Sequence, residues 1–392
     1  MISNRERYKA IAHFERTGDL WMNDLFWPEA LVLWMNSGAP VRMMDEAWRG
    51  RYFGFDSERH AHEIVSGIGV APLMAGGVFA FDYVPPIVPR YEPKLLKEDE
   101  RSVVMINHVG QTIKLLKDHA QNMPMYMDHP VHDWDTWKEY KKRLNPDDPG
   151  RWPKDWNAYV EKMNATDTPV ILSVGGFFGY LREWMGLTGL LYMFYDDPAL
   201  VEDMMDSMLD LTLGVIDRAL PDLRVDQANF WEDMCFKSGP LISPDMFKKY
   251  MVPRYRRVTD ALRKHDVDII FVDSDGNIEK LLPLWMEAGV NMIWPLEIAA
   301  GNDPVALRKE YGKDLILGGG IDKMALIRSE KDIEKEVMSK VPYLLEQGGY
   351  FPSVDHFVPP DVSLDNYLYY RRRKCEIIGK EWREPAAVRD RG

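Results

Sequence analysis

Val267-Asp268-Ile269-Ile270-Phe271-Val272-Asp273-Ser274-Asp275-Gly276 runs from an apolar segment straight into two carboxylates, with a glycine immediately behind them. The apolar part reads as a buried strand, and the residues after Gly276 read as the approach to a helix. The same alternation repeats from residue 168 onward. Pro169–Val174, Gln227–Trp231, Asp268–Val272, Val290–Trp294, Leu315–Gly318 and Tyr350–Ser353 are strand-like, and an amphipathic segment follows each of them. Strands alternating with helices imply right-handed βαβ crossovers and a parallel sheet. So many units without a G-x-G-x-x-G turn favour a (β/α)8 TIM barrel over a doubly wound sheet.

Outward from this region, Ser3 and Glu6 have capping-box spacing, which predicts an N-terminal helical segment. Between about residues 77 and 127 the texture changes to short β-like runs: Val78–Phe81, Ser102–Ile106 and Thr112–Leu116. These predict a small antiparallel β insertion within a single domain over 1–392. Asn145–Pro153 reads as a surface loop. Ser243 and Pro244 open a helix predicted to run to Arg263, with the serine as cap and the proline in the first turn.

A hydrophobic content of 46% with 13 Trp, 18 Tyr and 15 Phe supports a large core. The net charge of −13 disfavours nucleic acid. The basic run Arg371–Lys374 stands alone and reads as the end of a solvated helix. Two cysteines cannot build a disulfide framework, so a reducing cytoplasm is expected. No apolar run is long enough to span a bilayer, and no membrane role is expected.

If the strands form a barrel, the polar residues after them meet at its open face, where barrel active sites lie. Those residues are Gly175-Gly176, Glu232 and Asp233, Asp273 and Asp275, Glu297, Gly318–Gly320 with Asp322, and Asp355 with His356. Residues two apart on an extended chain point the same way, so Asp273 and Asp275 can face one cavity. Two carboxylates that close repel unless a cation sits between them. With His356, and Glu297 in reserve, they could ligate Zn²⁺ through one imidazole and two or three oxygens. They also read as structural groups, with Asp275 capping a helix, Asp273 accepting loop amides and His356 buried. The rings of Phe177, Phe178, Tyr180 and Trp231 could hold a flat apolar ligand or simply cover the barrel end. The glycines at 318 to 320 read as a tight turn in preference to a phosphate loop.

Several stretches together resemble the uroporphyrinogen decarboxylase superfamily. Asn229–Pro253, with Leu241-Ile242-Ser243-Pro244 and Phe247, is similar to its strand-loop-helix pattern. Gly319-Gly320-Ile321-Asp322 is similar to its late turn, and Asp355–Pro359 through Asn366 to its closing motif. The resemblance implies a distorted (β/α)8 barrel, often a homodimer, with its site at the C-terminal end of the strands. The family's Arg-rich N-terminal motif, which holds porphyrinogen carboxylates, is replaced here by Asn23-Asp24-Leu25-Phe26-Trp27-Pro28. In the superfamily's corrinoid-dependent methyltransferases, zinc is held by His-x-Cys-Gly and a later Cys, positions that fall on Asp273-Ser274-Asp275-Gly276 and His356.

The resemblance therefore implies a metal-assisted O-demethylase. It would move a methyl group from a methoxylated donor to cobalamin on a separate corrinoid protein, with Glu232, Asp273 and His356 as the catalytic groups. No Asp-x-His-x-x-Gly cobalamin motif occurs in the chain itself. The alternatives are a metal-free lyase, with Asp273 or Asp275 stabilising a protonated ring and His356 as proton donor, and a noncatalytic tetrapyrrole- or corrin-binding barrel.

Overall fold

The computed structural model describes residues 2–56, 63–66, 86–117 and 123–382, with 63–66 by backbone alone. In chain order the strands are β1 (Glu63–Ser66), β2 (Lys94–Glu98), β3 (Ser102–Ile106), β4 (Thr112–Leu116), β5 (Met125–Asp128), β6 (Val170–Gly175) and β7 (Gln227–Trp231). They continue as β8 (Cys235–Phe236), β9 (Gly239–Pro240), β10 (Ile270–Asp273), β11 (Met292–Trp294), β12 (Ile316–Gly318) and β13 (Tyr350–Phe351).

Seven strands form one sheet in the order β1-β6-β7-β10-β11-β12-β13. Every neighbouring pair in it is parallel. Helices bridge successive strands, as the alternating sequence requires. The expected eight-stranded closed barrel is thus seen as a seven-stranded parallel α/β sheet, and among the described residues no ladder joins β13 to β1. Beyond β13 the N-terminal segment lies alongside instead. Val358 N donates to Leu25 O (2.8 Å), Trp27 N donates to Val358 O (3.1 Å), and Phe26 forms a parallel bridge with Val358.

The two faces of the sheet bury different things. On β10, Ile270 and Val272 have no exposed surface and belong to the large core beneath the helices. Burying side chains of this kind stabilises by roughly 1.5–3 kcal/mol each. Ile269, Met292, Ile316 and Phe351 point the other way and pack with Tyr8, Ile11 and Trp21 in a second, smaller core. The helix Asn4–Ala12, started by the predicted Ser3/Glu6 capping box, thus covers the N-terminal end of the sheet interior. Continuing the period of two from Ile269 through Phe271 carries Asp273 onto that same interior face at the opposite end.

The insertion is a four-stranded antiparallel sheet, β2-β3-β4-β5. The predicted runs 102–106 and 112–116 pair in register, Ser102 against Leu116 and Ile106 against Thr112. The expected run Val78–Phe81 lies outside the described residues. The helix predicted to run from Ser243 to Arg263 is two helices, Pro244–Tyr250 and Val252–Arg263, with Pro253 in the first turn of the second. Proline there has no amide to continue the first helix. The basic run is also placed differently from its expected solvated position: Arg371 and Lys374 are 1% and 0% exposed. No helix among the described residues is long and apolar enough to cross a membrane.

Candidate active site

The end of β10 is built to hold two acids on one side of the chain. Ser274, between them, is fully buried; its hydroxyl accepts from Met234 N (3.2 Å) and donates to Asp275 O (3.4 Å). Gly276 turns the chain at φ +76°, and a Cβ there would lie 2.4 Å from the Cys235 carbonyl oxygen, so only glycine fits. Its amide donates to Glu297 Oε2 (2.8 Å) and its carbonyl accepts from Asn302 Nδ2 (2.7 Å). Asp275 Oδ1 then lies 3.5 Å from His356 Nε2.

A third acid joins them. The Asp273 carbonyl accepts from the amides of Glu232 (2.9 Å) and Asp233 (3.3 Å), which ties the ends of β7 and β10 together. Asp233 has a left-handed backbone, φ +42°, uncommon for a residue with a side chain. Arg182 holds it there, with Nη2 at 2.8 Å from Asp233 Oδ2 and Nη1 donating to Asp233 O at 2.6 Å.

Burial first, and then the nearby charges of Asp275 and Asp233, push the Asp273 carboxyl well above the usual carboxylate range, with Arg182 opposing. Asp233 is also pushed up, by burial and by Asp275, against the pull of Arg182 and His356. A cleft of this kind keeps a carboxyl protonated at a pH where an exposed one has ionised, so it can give up a proton.

His356 is framed by rings. Trp294 stacks on it at 5.9 Å and 19°, Trp27 lies at 6.1 Å and 33°, and Phe357 meets it edge-on at 4.8 Å. Next to it, fully buried Asp355 accepts from the amides of Ile298 (3.0 Å) and Lys323 (3.1 Å). Trp231 is half-buried, with Tyr180 edge-on at 5.4 Å and the Arg182 guanidinium 5.5 Å from its ring centre.

The other expected site residues are placed elsewhere. Phe177 and Phe178 are 1% and 0% exposed and belong to the core, Phe177 packing on Tyr255 at 5.3 Å. Rings in that position brace the strand ends. Glu232 is fully buried. Its carboxylate accepts from the amides of Phe177 (2.8 Å), Phe178 (2.7 Å) and Gly179 (3.0 Å) and from the Tyr255 hydroxyl. It clamps the glycine turn beneath Trp231, whose carbonyl oxygen would be 2.0 Å from a Cβ at position 176. A carboxylate with four donors has no lone pair directed at a substrate.

Sequence reasoning passed over Arg182, Trp27, Trp294 and Lys323. Lys323 alone had a local signal, since it directly follows the late glycine turn.

In this structure the expected zinc ligands Asp273, Asp275, His356 and Glu297 are not gathered around one point. Among the described residues, no three His, Cys, Asp or Glu side chains converge to hold an ion. Glu297 is turned to Gly276 N and to Lys323 Nζ (3.3 Å), and Asp275 is paired with His356. Protein purified without chelators is therefore expected to carry well below one zinc per chain by mass spectrometry. About one zinc per chain, lost in both Asp275→Ala and His356→Ala, would reinstate the metal-assisted arrangement.

Comparison with known proteins places the chain in a family. A methyltransferase from Methanosarcina mazei has the same fold, with a TM-score of 0.55 at 12% identity, covering 96% of this chain and 99% of that one. A zinc-bound IOLI protein matches with a TM-score of only 0.35 at 13% identity, covering 63% and 86%. No curated protein sequence matches the chain. The family model described as uroporphyrinogen decarboxylase matches residues 102–371, which includes Asp233, Asp273, Asp275 and His356. On that match, the chain belongs to the uroporphyrinogen decarboxylase family.

Proposed function

We propose that this chain is a methyltransferase that takes a methyl group from a methoxylated, aromatic donor and passes it to a corrinoid on a separate protein. The observation that carries this reading is the cluster of acids at the ends of β7 and β10, where the Asp273 carbonyl ties Asp233 to its strand and Asp275 follows two residues on, surroundings that raise the Asp273 carboxyl. An ether oxygen leaves poorly as an anion, and a proton delivered to it as the carbon–oxygen bond breaks removes that obstacle. The electron pair of the breaking bond stays on oxygen, the Asp273 proton completes the hydroxyl, and Arg182 is the nearby positive charge that favours the carboxylate left behind.

A corrinoid on a docked carrier would supply the nucleophile for the methyl carbon. The half-buried rings of Trp27, Trp231 and Trp294 offer a flat aromatic donor surfaces to lie against beside the acids. Decarboxylation of a porphyrinogen suits the cleft poorly. Its many carboxylates would meet Asp233, Asp273 and Asp275, while Arg182 and Lys323 are already committed to protein carboxylates.

The test is to incubate the purified chain with methoxylated benzenes and a reduced corrinoid protein, following the released phenol by mass spectrometry. Phenol is expected only when chain and corrinoid protein are both present. Phenol release without corrinoid would overturn the reading. Carbon dioxide release from a carboxylated aromatic with no methyl transfer would favour the lyase, for which the Asp275–His356 pair is a suitable proton source.

A further inference from the structure

We infer that Lys323 is a positioning residue that sets the approach of Asp275 to His356, which rests on the reading that these two face the substrate. Lys323 begins the helix Lys323–Ile327 directly after the turn that follows β12, so its ammonium enters the gap between two strand ends. There Nζ lies 3.3 Å from Glu297 Oε1 and 3.3 Å from Asp355 Oδ1.

Each of those carboxylates holds the backbone beside one member of the pair. Glu297 accepts from the amide of Gly276, the residue after Asp275, at 2.8 Å. Asp355 is the residue before His356, and its second oxygen accepts from Ile298 N at 3.0 Å, which ties it to the residue after Glu297. The chain of contacts Gly276–Glu297–Lys323–Asp355 therefore joins the turn after β10 to the loop after β13. Asp275 and His356 meet across it at 3.5 Å.

Without the ammonium, two half-buried or buried carboxylates would face each other uncompensated, and like charges so placed separate. Their separation would carry Gly276 and the 355–356 peptide apart with them. Glu297 and Asp355 hold Lys323 in its charged form, although burial alone would pull the other way. Neither partner needs to touch a ligand for this bracing, which fits Glu297 having no share in a metal site.

The test uses the full chain with ¹³C-labelled histidine, assigning His356 by its absence from the spectrum of His356→Asn. The ring signals of wild-type His356 are expected upfield of a free histidine because Trp294 and Trp27 lie over them. Lys323→Met is expected to lose that upfield displacement. Methyl-transfer kcat is expected to fall by about 10- to 100-fold, with donor KM nearly unchanged. Lys323→Arg, which keeps the charge, should recover both. If Lys323→Met does not fold, Glu297→Gln is expected to shift the same signals in the same direction by less.

A folded Lys323→Met with unmoved His356 signals would overturn the inference, whatever its activity. Moved signals with no methyl transfer even in wild type would leave the bracing standing and remove the proposed reaction instead.

Discussion

Asp273→Asn is expected to lower methyl transfer by about 10²- to 10⁴-fold, the usual worth of a positioned general acid, while making the folded chain more stable at neutral pH. The two effects share one cause. Burial and the charges of Asp275 and Asp233 raise the Asp273 carboxyl, so the folded state holds that proton more tightly than the unfolded state does. The sign follows from the linkage between proton binding and folding. The stability associated with the protonated form is fully present below the ordinary carboxylate range and is lost as pH rises through the raised folded value. Asparagine never ionises, so its advantage should be near zero in acid and should grow as pH climbs. Thermal unfolding of both proteins from pH 4 to pH 9 measures this. A variant less stable than wild type across the whole range would show that Asp273 is a structural anchor rather than a strained acid.

Lys374→Met is expected to cost roughly 3–5 kcal/mol of folding stability, because it strands a buried carboxylate. Lys374 and Asp24 both have fully buried side chains, 3.5 Å apart. Asp24 also accepts from Val354 N (2.8 Å) and the Tyr367 hydroxyl (3.0 Å), and Lys374 donates to Pro352 O (3.0 Å). The pair pins the last helix and the N-terminal segment to the loop that carries His356. The double variant Asp24→Asn/Lys374→Met should regain most of the loss, since no buried charge remains.

Burial pushes the Lys374 ammonium down to about 8, against the opposing pull of Asp24. Between that value and the ordinary lysine range near 10.5 the unfolded chain binds more protons than the folded one. Wild type should therefore gain a stabilising contribution as pH rises through this window, and Lys374→Met should lack it. Chemical denaturation at pH 7 and pH 10 reads both effects. A loss below about 1 kcal/mol at pH 7, the scale of an exposed pair, would mean the contact contributes little.

Periodicity in the sequence was enough for the parallel α/β order, the capping box at Ser3 and the hairpin of β3 and β4, because each depends on neighbours within a few residues. It also put Asp273 and Asp275 close enough for the charge of Asp275 to act on Asp273, at a turn that Gly276 makes. It did not show that Phe177 and Phe178 face inward or that Glu232 fills a ring of amides. Those outcomes depend on which side of a turn packs beneath the helices, and no local pattern encodes that. The basic run at 371–374 shows the same limit, because its charges read as solvated until Asp24, some 350 positions away in the chain, is seen to balance Lys374.

Sequence alone therefore determined the kind of protein: a parallel α/β chain whose polar strand ends gather at one face, with acids at the end of β10. The tertiary structure decided which of those polar groups meet. Arg182 pairs with Asp233, Lys323 pairs with Glu297, and Trp27 arrives from the N-terminus to frame His356. The reason is physical. Strand and helix patterns are written by short-range sterics and burial, whereas the charge state of a buried acid is set by whichever groups the whole fold brings within a few ångströms.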